Sequence, residues 1–214
     1  MSLGGILIYG VTSILSNVAL FSVIPLLWHL DKERTIKGFV HSLGIYRPHS
    51  AASGSILTVT SVYLLTLAAT ITVVLSGFSD RGLGAHGGTH GLTTGTTILL
   101  YIVMFGLKTG IAEEIFFRGF IAKKLIDRLG YSKGNLLQAL VFGMPHSFLV
   151  SGPFSAIDLV VRGINAILLG YTFGYIMDKR SGGNIVPAMI AHTSANIVSS
   201  IVLTTIFSPG WIFA

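Results

Sequence analysis

Apolar positions in this chain fall in long blocks, and polar residues collect in the short stretches between them. Six apolar runs stand out, roughly 6–30, 55–75, 96–121, 135–150, 155–177 and 185–207. A helix needs about 20 such residues to cross a ~30 Å hydrocarbon core. The pattern predicts an all-α, polytopic membrane helix bundle of about six transmembrane helices. No stretch remains for a separate soluble domain, so residues 1–214 read as one membrane domain. Its two parts are an N-terminal pair of spans over about 6–76 and a second part over about 96–207. The polar stretches are a basic segment at 31–50, a Gly/His/Thr loop at 77–95, a basic loop after the third span, a Ser-Gly-Pro turn and DKRSGG.

Composition agrees with this reading. Hydrophobic residues make up 51% of the chain and charged residues 10%, against roughly 25% charged in an average soluble domain. The net charge of +6 does not point to nucleic acid, because the basic residues flank apolar spans and are not interleaved with exposed aromatics. The expected partner surface is the lipid bilayer. With no cysteine, a disulfide framework, a thiol nucleophile and a thiolate metal site are excluded. The start, MSLGGILIYG, lacks the positive n-region of a cleavable signal peptide, so its apolar run is expected to remain as a span.

Lysine and arginine then set the orientation, since cytoplasmic loops carry their excess. Lys32, Arg34, Lys37 and Arg47 follow the first span, Lys123, Lys124, Arg128 and Lys133 the third, and Lys179 and Arg180 the fifth, whereas the opposite side holds Arg81. The alternation predicts an even number of spans with both termini outside. Segment 41–48, HSLGIYRP, is expected to lie along the cytoplasmic interface.

Charged residues inside the spans are the informative exceptions. Glu113, Glu114, Arg118, His146 and His192 all lie within apolar runs, and a charge at mid-bilayer costs at least ~2.5 to 3.5 kcal/mol, so such groups face the bundle interior and pair. At 1.5 Å per residue, Glu113 lies about 15 Å from the cytoplasmic end of its span, His146 about 17 Å, His192 about 10 Å and Asn196 about 17 Å. Two carboxylates, two imidazoles and an amide can therefore meet at one level. Glu114 and Arg118, four apart, share a helix face in the favourable order, and Glu113 points about 100° away. A buried carboxylate without a committed cation is suited to take a proton from water near neutral pH, which makes Glu113 the candidate base. A water between Glu113 and His146, with His192 and Asn196 beside the developing oxyanion, would form a peptide-hydrolysing site. The same spacing also allows Glu113, His146 and His192 to hold a divalent metal such as zinc, as a three-ligand set with an open position.

Three ordered motifs carry a resemblance. E-E-x-x-x-R at Glu113, Glu114 and Arg118, F-x-x-x-H at Phe142 and His146, and H-x-x-x-N at His192 and Asn196 resemble those of the CPBP family, which contains the type II CAAX prenyl endopeptidases and bacterial abortive-infection or bacteriocin-immunity relatives. The likeness covers about half of the chain, from the third span to the sixth. It implies an intramembrane endopeptidase in which Glu113 activates water, Glu114 and Arg118 brace it, His146 holds the same water, and His192 and Asn196 form the oxyanion site. These roles require no cofactor, although many family members are labelled metalloproteases. The implied substrate is a membrane protein or lipidated peptide, of which a prenylated CAAX protein is the family's best-known case. The expected location is a prokaryotic cell membrane, with the site open to the cytoplasmic side. The eukaryotic prenyl-protein enzymes have eight spans, so substrate-entry surfaces do not carry over to the first two spans here.

Other chemistries lack their residues. There is no H-E-x-x-H and no G-x-S-x-G, and one intraspan aspartate, Asp158, cannot make an aspartyl dyad. Gly82 to Gly87 formally fits the dinucleotide fingerprint without its strand and helix. Asp158 and Arg162 read as an i, i+4 pair, and Lys108 as the mark of a local helix break or a partner carboxylate. Gly106/Gly110 and Gly170/Gly174 read as close helix packing, and His86 and His90 as parts of a solvated linker. The alternative from another class is a membrane binding or immunity-type protein whose polar network only holds helices together. A proton-coupled transporter fits poorly without visible repeats.

Overall fold

The computed structural model describes residues 3–47, 64, 94–148 and 156–207. The second predicted span, the 77–95 loop almost entirely, and with it Arg81, His86 and His90, lie outside the described residues.

Those described are helical, with no strand among them. Helix α1 runs Leu3–Glu33 and is followed by the short α2, Phe39–Ser42. A long helical rod then spans 94–129: α3 (Thr94–Leu100), a π-helical stretch Tyr101–Leu107, α4 (Lys108–Phe116), a second π stretch Phe117–Ala122, and α5 (Lys123–Leu129). Helix α6 covers Tyr131–Phe148, α7 covers Ala156–Tyr175 and widens into a π stretch at Ile176–Arg180, and α8 covers Val186–Phe207. Helix α6 packs along α7, α1 along α4, and α8 against α4 and the first π stretch.

Several polar connectors prove shorter than the hydropathy implied. The rod continues past residue 121 through Lys123, Lys124 and Arg128 before Gly130 (φ 76°) turns the chain. Lys, Leu, Ile and Arg are sound helix formers, and cations suit a helix C-terminus. Hydropathy marks where lipid would end, whereas the helix ends where its hydrogen bonding does. Lys179 and Arg180 likewise close a helix, and Lys32 lies in the last turn of α1.

The burial pattern is inverted relative to a water-soluble bundle. Glu114, Arg118, Asn135 and Gln138 are each 0% exposed, while Ile8 is 70%, Leu20 67% and Met144 59% exposed. Gly4–Glu33 and Leu159–Arg180 are long and apolar enough to cross a membrane. The three basic connectors that the sequence assigned to one side do meet: Tyr46 Oη donates to Gly182 O at 2.7 Å, Asn184 Nδ2 to Tyr46 O at 2.8 Å, and Lys123 Nζ to Ser42 O at 3.1 Å.

Candidate active site

Small residues let the helices that carry the motifs approach. A Cβ on Gly110 would meet the Thr193 backbone N at 2.9 Å and Cα at 3.0 Å, and one on Gly106 would meet Ile197 Cδ1 at 2.8 Å. Gly170 lies against Phe142 and Ala139, and Gly174 against Asn135 and Gln138. Both glycine pairs thus serve close packing, of α8 on the rod and of α7 on α6. Lys108 marks the change from π to α helix without a break in the rod.

At the centre, Arg118 Nη1 stands 2.8 Å from Glu114 Oε1, both side chains fully buried. The approach is an ion contact whose alignment leaves Nη1 without a hydrogen bond, while Nη2 donates to Gly170 O at 3.3 Å. The guanidinium lies 4.2 Å from the Phe142 ring centre and 5.0 Å from that of Phe173. Cation–π attraction at such a desolvated position is worth about 2 kcal/mol. Arg118 therefore ties the rod to α6 and α7 at once.

His192 completes the link to α8. Its Nδ1 lies 2.9 Å from Glu114 Oε1, and because an ionised carboxylate only accepts, Nδ1 carries the proton. Nε2 then faces Glu113 Oε2 at 3.8 Å, beyond hydrogen-bond reach. Phe173 stacks on the imidazole at 4.9 Å with the planes 22° apart, and Phe142 meets it edge-on at 5.8 Å. The two glutamates differ as the helix geometry requires: the Glu114 side chain is 0% exposed and engages Arg118 and His192 through Oε1, whereas Glu113 is 20% exposed; the buried Oε2 atoms of both lack a hydrogen-bond partner.

The other two motif residues are held separately. His146 Nδ1 donates to Phe142 O at 2.8 Å, its ring 4.7 Å from that of Phe142. With Nδ1 protonated, the neutral ring presents its lone pair at Nε2. Among the described residues no hydrogen bond or ion pair joins His146 to Glu113; the Phe142 ring stands between His146 and His192. Asn196 Nδ2 donates to Thr109 Oγ1 at 2.8 Å, one turn before Glu113. No three His, Asp or Glu side chains among the described residues gather at metal-binding spacing, so the set Glu113, His146 and His192 is not assembled as a ligand triad. The Asp158 side chain lies outside those described, so the Asp158–Arg162 pair does too.

Sequence reasoning did not single out Thr109, Phe173 or the Gly170 carbonyl. The first stands one turn from Glu113 on the same face, a spacing that could have flagged it. Phe173 lies in the glycine-flanked packing stretch of α7, and nothing in its sequence position marks it as a partner of a histidine on α8.

An apolar exterior around an ionised interior defines the class of membrane-embedded helical proteins. Within it, the family model described as type II CAAX prenyl endopeptidase Rce1-like matches residues 95–198, a little under half of the chain. The matched segment contains all three motifs. No curated protein and no solved structure matches the chain significantly.

Proposed function

We propose that the protein is a polytopic intramembrane endopeptidase that hydrolyses a peptide bond in a membrane-associated or lipidated substrate, with Glu113 as general base. The observation that carries this reading is the asymmetry of the paired glutamates. Glu114 is fully buried and committed through Oε1 to Arg118 and His192, and Glu113, beside the same imidazole, keeps a side chain that is partly exposed.

In the proposed reaction Glu113 takes a proton from water as the water oxygen bonds to the substrate carbonyl carbon. His146, through Nε2, orients that water. The carbonyl π electrons move to oxygen, where Asn196 Nδ2 and a protonated His192 Nε2 stabilise the anion. When the C–N bond breaks, Glu113 returns the proton to the leaving amine. Glu114, itself held by Arg118, accepts the Nδ1 proton of His192 and fixes the ring so that Nε2 faces the site, and Thr109 orients Asn196. These roles need no metal. About six spans, the site open to the cytoplasmic side, and a prenylated CAAX peptide as one substrate complete the reading.

The test is cleavage of a quenched-fluorescence prenylated CAAX peptide, alongside a membrane-protein pool read by mass spectrometry, by wild type and Glu113→Gln with and without a strong chelator. Cleavage lost in Glu113→Gln and retained in chelator supports a metal-independent glutamate enzyme. Loss in chelator as well returns a metal to the site. No cleavage of either substrate by folded wild type moves the reading to a binding or immunity-type protein.

A further inference from the structure

Away from the glutamates, at the basic end of the bundle, α1, the α2 connector and the rod enclose a cavity of about 220 Å³. No motif residue lines it. Lys32 from the last turn of α1 and Lys123 and Lys124 from α5 line it, with His29, against two carboxylates, Glu33 and Asp127. The lining thus carries one more positive than negative charge with histidine neutral.

The cations lie close together, and Lys32 also pairs with Asp31 Oδ2 at 3.3 Å, outside the cavity lining. Lys32 Nζ lies 5.5 Å, Lys124 Nζ 5.8 Å and the Arg128 guanidinium 6.0 Å from the ring centre of the lining residue Trp28. A single indole returns about 0.5–1 kcal/mol per exposed cation, and like charges gathered this closely repel. Lys123 is the more constrained. Burial holds its ammonium below the ordinary lysine range, Asp127 partly offsets this, and Lys124 adds to it. Its Nζ gives one of three protons to Ser42 O.

An anion in the cavity would relieve this crowding, and the surroundings indicate its source. Trp28 belongs to the residue types that sit at headgroup level. Within about two turns before Trp28 on α1, Leu20, Ile24 and Leu27 are 67%, 55% and 62% exposed, an apolar outer face on which acyl chains can lie. We propose that this cavity binds the phosphate of an anionic phospholipid headgroup through Lys32, Lys123 and Lys124, with Trp28 beside it. Basic pockets between helices at the cytoplasmic face are suited to such headgroups. A bound lipid would join α1 to the rod that carries Glu113. The inference rests on membrane embedding and is independent of catalysis.

Thermal unfolding of the full chain in neutral detergent tests it, with added phosphatidylglycerol, phosphatidylcholine of the same acyl chains, or inorganic phosphate. Phosphatidylglycerol is expected to raise Tm more than phosphatidylcholine. The difference should fall at least by half in the double variant Lys32→Gln/Lys124→Gln, both exposed positions, and survive in Lys133→Gln, which does not line the cavity. Equal effects of the two lipids, or an undiminished difference in the double variant, overturn the proposal. A rise of the same size with inorganic phosphate alone overturns the lipid assignment and leaves a phosphate site. Should the double variant not fold, native mass spectrometry of wild type decides, since equal retention of the two lipids overturns the site. Because Tm is read and not cleavage, a failed protease assay does not affect the outcome.

Discussion

Glu114 accepts a hydrogen bond from His192 Nδ1 at 2.9 Å across the interface of α4 and α8, residues 78 positions apart in the chain. That bond fixes which nitrogen of the imidazole is protonated and turns the other toward Glu113. Neighbouring glutamates thereby differ in setting, Glu114 locked in the buried pair and Glu113 partly exposed beside the imidazole.

Substitution should separate them. Glu113→Gln is expected to lower cleavage by roughly 100-fold or more and to leave thermal unfolding near wild type, because it removes no ion pair to Arg118. Glu114→Gln should instead lower Tm, since it leaves the Arg118 guanidinium buried and uncompensated. Measuring both variants by unfolding and by peptide cleavage checks the division; a Glu113→Gln protein as unstable as Glu114→Gln would contradict it.

Arg118→Leu should destabilise by roughly 3–5 kcal/mol, the usual cost of breaking a buried pair by removing one partner. It strands Glu114 and removes the cation between Phe142 and Phe173. The double variant Arg118→Leu/Glu114→Leu removes both charges and should recover part of the loss. Denaturation in detergent, read as a double-mutant cycle, gives the coupling.

Gly110→Ala is expected to cost roughly 1–3 kcal/mol by overpacking, because the new methyl meets backbone atoms of Thr193 that cannot turn aside. Gly106→Ala should cost less, since the Ile197 side chain it meets can rotate. Thr193 adjoins His192, so Gly110→Ala should also reduce cleavage more than Gly106→Ala does. The order of the two Tm values is the decisive reading.

At high pH, Tyr131 should limit stability. It precedes the fourth predicted span, and burial first, then a hydrogen bond with Tyr171, push its phenol well above the ordinary tyrosine range. In the unfolded chain it ionises near pH ~10. Above that pH the unfolded form has lost a proton the folded form keeps, so stability falls as pH rises toward the raised native value. Tyr131→Phe should make the decline of Tm above pH ~10 shallower, as unfolding scans at stepped pH would show.

Much of the local architecture could be read from residue spacing. The Glu114–Arg118 contact follows from an i, i+4 separation on any helix, and the separate direction of Glu113 from the 100° offset between successive residues. Glycine pairs four apart announced where helices approach. Helix ends were less legible, because the rod continues through Lys123 and Arg128 where hydropathy stops, and its π stretches at Tyr101–Leu107 and Phe117–Ala122 have no periodic signature.

The sequence alone determined the helical class, the membrane-like balance of apolar and charged residues, and three motifs whose residues had to face inward. Those properties depend on residues within a few turns of one another or on composition. Tertiary structure decided which partner each inward group takes: His192 goes to Glu114, Asn196 to Thr109, and Arg118 to the Gly170 carbonyl and between two phenyl rings. The rings and carbonyls that complete the site come from helices tens of residues away. Their distances depend on how the helices cross, which close packing sets and local sequence does not encode.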